Sequence, residues 1–161
     1  MPTTPAPPPA APETALLRAA GLRVTGPRRT VLGVVGAHPH AEVGTIVAAT
    51  RARAGSVSVQ AVYDVLRVLT EAGLVRRVEP AGSPARYEVD SGDNHHHVVC
   101  RGCGRLQDVP CATGRRPCLD PGDGLHGFHL DEAEVLYWGL CPDCQQTTTH
   151  RGAAAPTKES A

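Results

Sequence analysis

The sequence predicts an α+β chain built as two unlike units, and three patterns carry that prediction. Apolar residues recur at helical spacing through the front of the chain, as in Val62, Val65, Leu66 and Leu69. Two strand-like runs follow directly, Leu74–Glu79 and Ala85–Val89, flanking the turn-forming Pro80-Ala81-Gly82-Ser83-Pro84. Behind them, two Cys-x2-Cys pairs, Cys100/Cys103 and Cys141/Cys144, bracket further short apolar runs.

Met1–Pro12 is rich in Pro, Ala and Thr and is expected to be a disordered tail. The first unit is expected over residues 13–89. Glu13–Ala20 reads as a short helix stopped by Gly21. Thr25 ahead of Gly26-Pro27 reads as an N-cap followed by Pro in the first turn. That helix reaches about Ala37 and turns Val31, Leu32 and Val35 to one face. Ala41–Ala54 reads as a third helix, carrying Val43, Ile46 and Val47. Ser58 caps a fourth, which ends near Ala72 ahead of Gly73. Helices followed by a β-hairpin are the order of a winged helix-turn-helix domain. In such a domain the helix at 58–72 enters the DNA major groove and the hairpin is the wing. A small helical domain that docks on protein would share this order.

Residues 90–94 read as a hinge. The second unit, residues 95–144, is expected to be a small α/β domain. Its short strands fall at His97–Cys100, Arg105–Val109 and Val135–Leu140, with a Pro- and Gly-loaded loop from Pro110 to Gly127. Gln145–Ala161 is polar and small, and is expected to be a second disordered tail.

Aromatic residues make up 3% of the 161 residues, so both cores must be built from Val, Leu, Ala and Ile. Two such small cores are thin, and a thin core is where a structural metal contributes most. No apolar run reaches the roughly 18 residues of a membrane span. Met1–Pro12 lacks the basic start and apolar stretch of a secretory signal. Six cysteines in that setting fit a reducing cytoplasm, where they bind metal or do redox chemistry. The net charge of zero hides an asymmetry. Residues 1–80 carry nine Arg against five acids, a balance of +4; residues 81–161 carry six Arg and one Lys against eleven acids, a balance of −4. A basic front half suits a polyanion and an acidic back half suits cations.

Cys100, Cys103, Cys141 and Cys144 have the spacing of a closed, tetrahedral structural zinc site. Two disulfides or free thiols are the alternative, but a Cys-x2-Cys disulfide closes a very small loop and stabilises little.

Four ordered motifs together resemble the ferric uptake regulator (Fur) superfamily over roughly residues 14–144. They are Gly21-Leu22-Arg23-Val24-Thr25-Gly26-Pro27-Arg28, Ala61-Val62-Tyr63-Asp64-Val65-Leu66, the run His95-His96-His97-Val98-Val99-Cys100-Arg101-Gly102-Cys103, and Cys141-Pro142-Asp143-Cys144. The segments Gly55-Ser56-Val57-Ser58 and Tyr137-Trp138-Gly139-Leu140-Cys141 are most similar to the actinobacterial FurA/CatR branch, whose members repress catalase genes and respond to peroxide. The resemblance implies a homodimer, joined through the second unit, whose N-terminal winged helix binds a palindromic double-stranded DNA operator. It also implies Zn2+ in the four-cysteine site and a regulatory Fe2+ or Mn2+, with Zn2+ as the alternative ion.

By the same resemblance, the regulatory metal takes His38, Glu88, His95, His97 and Asp108. Residues two apart in a strand face one side, so His95 and His97 can share an ion while His96 points away. His40 competes with His38 for the third imidazole. Glu88 departs from peroxide sensors of the PerR type, which tend to carry Asp there, and favours an iron or zinc homeostasis repressor instead. For DNA, the candidate residues, read from their place and charge, are Tyr63 and Arg67 on the recognition helix, with Arg23, Arg28 and Arg29 reaching phosphates or a minor groove. A solvated basic face is the bland reading of these arginines. Asp64 stands where many Fur proteins carry a basic or amide residue. Cys111 and Cys118, outside the zinc set, could form a regulatory disulfide. In peroxide-responsive relatives a ligand histidine is oxidised, which points here to His38 or His95. His126 and His129 lie where some relatives hold a third metal, but Ala133 replaces a ligand. A zinc hydrolase built on the His/Glu cluster is the rival from another class. It leaves the recognition-helix motif unexplained, so the chain is read as a regulator and not an enzyme.

Overall fold

The computed structural model describes residues 13–114, 119, 125–130 and 133–152, with the side chains of 148–152 excepted. Met1–Pro12 and Cys118, with the expectations that fall on them, lie outside the described residues. The chain forms two compact units, divided between Ser91 and Gly92.

The first unit is a winged helix. Its helices are α1 (Glu13–Ala19), α2 (Gly26–Ala37), α3 (Val43–Ala54) and α4 (Val59–Glu71). Thr25 caps α2, accepting from the Arg28 amide at 3.5 Å, and Pro27 sits in the first turn, where a missing N–H costs nothing. Ser58 caps α4, accepting from the Ala61 amide at 3.0 Å. The wing is β2 (Val75–Val78) antiparallel to β3 (Arg86–Val89), with Val75 opposite Val89 and Val78 opposite Arg86. One apolar core joins these elements. It contains Leu17, Val31, Leu32, Val34, Val35, Ile46, Val47, Val62, Leu66, Leu69 and Val75, closed by Tyr87. It is aliphatic apart from that tyrosine, as the composition demands.

The expected third helix is corrected at its start. Ala41–Glu42 form a short strand, β1, which pairs antiparallel with β3 and gives the sheet order β1-β3-β2. His40 precedes it with φ 60, a left-handed conformation that turns the chain from α2 into the strand.

The second unit is a sheet of order β5-β4-β6, made of β4 (His95–Cys100), β5 (Leu106–Pro110) and β6 (Leu136–Gly139). β4 is antiparallel to β5 and parallel to β6. A final helix, α5 (Pro142–Gly152), corrects the expected loose tail over its first part. Pro142 opens it, Asp143 lies in its first turn against the helix dipole, and the Gln145 amide bonds the Cys141 carbonyl at 2.9 Å. The apolar core of this unit is thin: among the described residues only Val99, Cys100 and Leu106 are fully buried apolar side chains.

Candidate functional site

The four zinc-pattern cysteines converge. β4 ends at Cys100, and the chain folds back through a turn closed by the Gly104 amide on the Cys100 carbonyl at 2.9 Å. Gly104 takes φ 72 there, which an L side chain rarely adopts. β6 delivers Cys141, and the first turn of α5 brings round Cys144. The parallel register sets Cys100 beside Gly139, and the Arg101 amide bonds the Gly139 carbonyl at 2.8 Å, so the two cysteine turns are stitched together. All four sulfurs lie within 4.8 Å of one another. Cys103 Sγ and Cys141 Sγ are 3.8 Å apart. Zinc–sulfur bonds of about 2.3 Å give a tetrahedron with an edge of about 3.8 Å, so the donor set fits a zinc ion.

Electrostatics agree with that fit. Backbone N–H donors, first that of Cys141 at 3.2 Å, hold the Cys100 thiol down at about 6. Hydrogen bonds with Cys141 and Cys100, followed by desolvation, push the Cys144 thiol up to about 12. Four thiols this close cannot all ionise unless a cation neutralises them. Gly102 is part of the same construction. A Cβ there would lie 2.8 Å from Cys144 Sγ and 3.1 Å from its Cβ. The pattern Cys-x2-Cys does not reveal that requirement.

The second unit also builds an imidazole–carboxylate face. The β4–β5 register sets His97 directly opposite Asp108, and strand parity puts His95 on the same face. Asp108 Oδ1 lies 3.6 Å from His97 Nε2 and 3.8 Å from His95 Nε2. The two rings meet edge to face, with centroids 4.9 Å apart. His96 takes the opposite face, buried with its ring 6.1 Å from that of Tyr137. Asp93, which sequence reasoning passed over, reaches back to within 3.2 Å of His95 Nδ1.

The first unit carries a matching pair. Glu88 is 4% exposed, and its Oε2 lies 2.7 Å from His40 Nε2. The register explains the pairing: Ala41 faces Tyr87 and Glu42 faces Arg86, so the residue before β1 arrives beside Glu88. His40, and not the preferred His38, is therefore the imidazole set against Glu88. His38 is exposed and serves as the C-cap of α2. Arg76, across the hairpin, holds the other carboxylate oxygen at 3.5 Å and Asp90 at 3.7 Å.

On α4, Val62, Leu66 and Leu69 face the core, while Gln60, Tyr63, Asp64 and Arg67 lie on the exposed side. Tyr63 lines a groove with Arg77 and Tyr87 of the wing. The Gln60 amide donates to Asp64 at 3.1 Å, and Arg67 pairs with Glu71 at 2.9 Å. Arg23 and Arg29 are exposed, and the Arg28 guanidinium donates to the Arg23 carbonyl at 3.0 Å. Of the two loop thiols, Cys111 accepts from Asn94 at 3.2 Å and lies 3.3 Å from the Thr113 hydroxyl, which brings it down to about 6.

A winged helix followed by a sheet that bears four converging cysteines, together with carboxylate–imidazole sets, fits the class of metal-dependent transcriptional regulators. The Ferric uptake regulator family model matches residues 19–113. The chain is 61% identical over 135 residues to the transcriptional regulator FurA of Mycobacterium tuberculosis, covering 84% of this chain and 91% of that protein. It is 31% identical over 134 residues to the peroxide-responsive repressor PerR of Staphylococcus saprophyticus, covering 80% and 86%. Its fold matches the ferric uptake regulator from Pseudomonas aeruginosa with manganese at a TM-score of 0.61 and 26% identity, covering 81% and 98%. The chain belongs to the ferric uptake regulator family.

Proposed function

We propose that this protein is a cytoplasmic, peroxide-responsive repressor that binds a palindromic operator as a homodimer, with catalase or other oxidative-stress genes and its own gene as targets. Zinc in the shell of Cys100, Cys103, Cys141 and Cys144 staples the second unit, whose buried apolar core is thin. Its exposed Phe128, Tyr137 and Leu140 supply apolar surface for a second copy to cover. A two-fold dimer reads a two-fold operator. Tyr63, Arg67, Arg23, Arg28 and Arg29 are the DNA-contacting set, Arg67 after exchanging Glu71 for phosphate or a guanine edge.

The observation that carries the signal is the donor chemistry. His95, His97 and Asp108 gather two imidazoles and a carboxylate within the second unit, and His40 and Glu88 pair an imidazole with a carboxylate within the first. That set suits Fe(II) or Mn(II), with zinc a competitor. His40 takes the place that the family resemblance gives to His38. Metal binding biases the protein toward a DNA-competent state. Bound Fe(II) supplies redox chemistry toward hydrogen peroxide. The imidazoles' part is to be oxidised and so cease to be ligands, after which DNA is released. The name of the Staphylococcus relative supports peroxide as the signal.

The test is fluorescence anisotropy on duplex DNA from upstream of the protein's own gene and of any adjacent catalase gene. The protein is zinc-loaded and anaerobic. Binding should require Fe(II) or Mn(II). One equivalent of hydrogen peroxide should abolish it for Fe(II) alone and add about 16 Da to a histidine peptide. A metal-independent disulfide at Cys111 would overturn the histidine route. Glu88 favours the second reading, a metal-homeostasis repressor indifferent to peroxide; iron-dependent binding that survives peroxide would establish it.

A further inference from the structure

Asp93 lies outside the ligand set, yet it is placed to control one member of it. Gly92 takes φ 73, and the turn it makes carries Asp93 back toward the first residue of β4. Asp93 Oδ1 then stands 3.2 Å from His95 Nδ1, while the other ring nitrogen, Nε2, faces Asp108 Oδ1 at 3.8 Å. His97 Nε2 faces that same oxygen at 3.6 Å. The His95 side chain is 12% exposed and packs edge to face on His97, so its ring plane is held by its neighbours.

We propose that Asp93 is a positioning residue for the regulatory metal: it accepts the His95 Nδ1–H, fixes the ring as the Nδ1–H tautomer, and so presents the Nε2 lone pair on the face shared with His97 and Asp108. This rests on the reading of His95 and His97 as ligands. The physical reason is general. A neutral imidazole has one N–H and one lone pair, and the partner of the first decides where the second points. A carboxylate partner also raises the basicity of the ligating nitrogen. Exposure of Asp93 weakens the bond in the metal-free state, since water competes for the carboxylate.

The test uses the full-length, zinc-loaded protein with D93A and D93N, and Mn(II) as the probe. Competition against a chelating indicator reads the affinity, and nitrogen NMR of the His95 ring reads the tautomer. D93A should bind Mn(II) about 10- to 100-fold more weakly. D93N keeps an acceptor oxygen without the charge and should recover part of the loss. The metal-free wild type should show His95 as Nδ1–H, and D93A should move it toward a mixture. Wild-type Mn(II) affinity in D93A, or an Nε2–H tautomer in the wild type, would overturn the proposal. The two readings fail differently. If the wild type binds no Mn(II), the regulatory site is wrong, and the tautomer measurement still decides the role of Asp93.

Discussion

Replacing Gly102 by alanine tests the zinc shell without touching a cysteine. The added Cβ would meet Cys144 Sγ at 2.8 Å, its Cβ at 3.1 Å and Leu140 Cδ2 at 3.5 Å. A carbon–sulfur contact needs about 3.5 Å or more to be comfortable. The sulfur must therefore move by about 0.7 Å, against a tolerance of about 0.2 Å for a coordination distance. Loss of one ligand in four is the expected result. A structural zinc contributes about 10–16 kcal/mol of apparent binding. A quarter of the lower figure corresponds to nearly two decades in affinity, so G102A should bind zinc about a hundred-fold more weakly. Competition with a chromogenic chelator measures this directly. Gly104→Ala is the control. Gly104 has φ 72 but nothing within 4 Å of its Cβ position, so G104A should cost backbone energy of about 1–2 kcal/mol in unfolding and leave zinc affinity largely intact. Wild-type zinc affinity in G102A would refute the reasoning, because the clash is the entire argument.

Removing zinc with a chelator should loosen the second unit while the first stays folded. The protein's one tryptophan, Trp138, lies in β6 with the Arg101 guanidinium 5.1 Å from its ring, so its fluorescence should change as far-UV helical signal persists; unchanged fluorescence would count against a structural role. In the first unit, Leu66 is 1% exposed, and L66A should lower stability by about 2–5 kcal/mol in urea unfolding. S58A removes the cap of α4 and should cost about 1 kcal/mol in the same assay. On DNA, R23A should reduce the slope of log affinity against log salt by about 0.9, whereas R67A should reduce it less, because Arg67 already pairs with Glu71. H40A should weaken Mn(II) binding at least tenfold, roughly the scale of a lost metal contact, while H38A should leave it near wild type.

The contrast between His38 and His40 marks where local reasoning stops. His95 and His97 sharing a face was legible because strand parity is a property of consecutive residues, whereas Asp108 was named only through the family resemblance, and it took the β4–β5 register to set it opposite His97. The caps at Thr25 and Ser58 were legible for the same reason, since a cap and its amide lie within one turn. His38 is what its neighbourhood says, a residue closing a helix. His40 becomes a partner of Glu88 only because Ala41–Glu42 pair with β3, and a two-residue strand has no periodicity to betray it. Its apolar neighbours Val43, Ile46 and Val47 belong to the following helix, so the pattern extended that helix two residues too far. The start of α5 was hidden in a similar way. Gln145–Gly152 offers no apolar stripe, and what begins the helix is Pro142 and Asp143 beside cysteines held by a sheet. Gly102 is subtler still, because its reason is a sulfur across the fold. A residue set by its own turn or strand can be read from sequence, but one set by a partner from another strand requires the register first. The H40A and H38A pair tests that register as much as the metal: if H38A were the damaging change, the β1–β3 pairing would be the first thing to doubt.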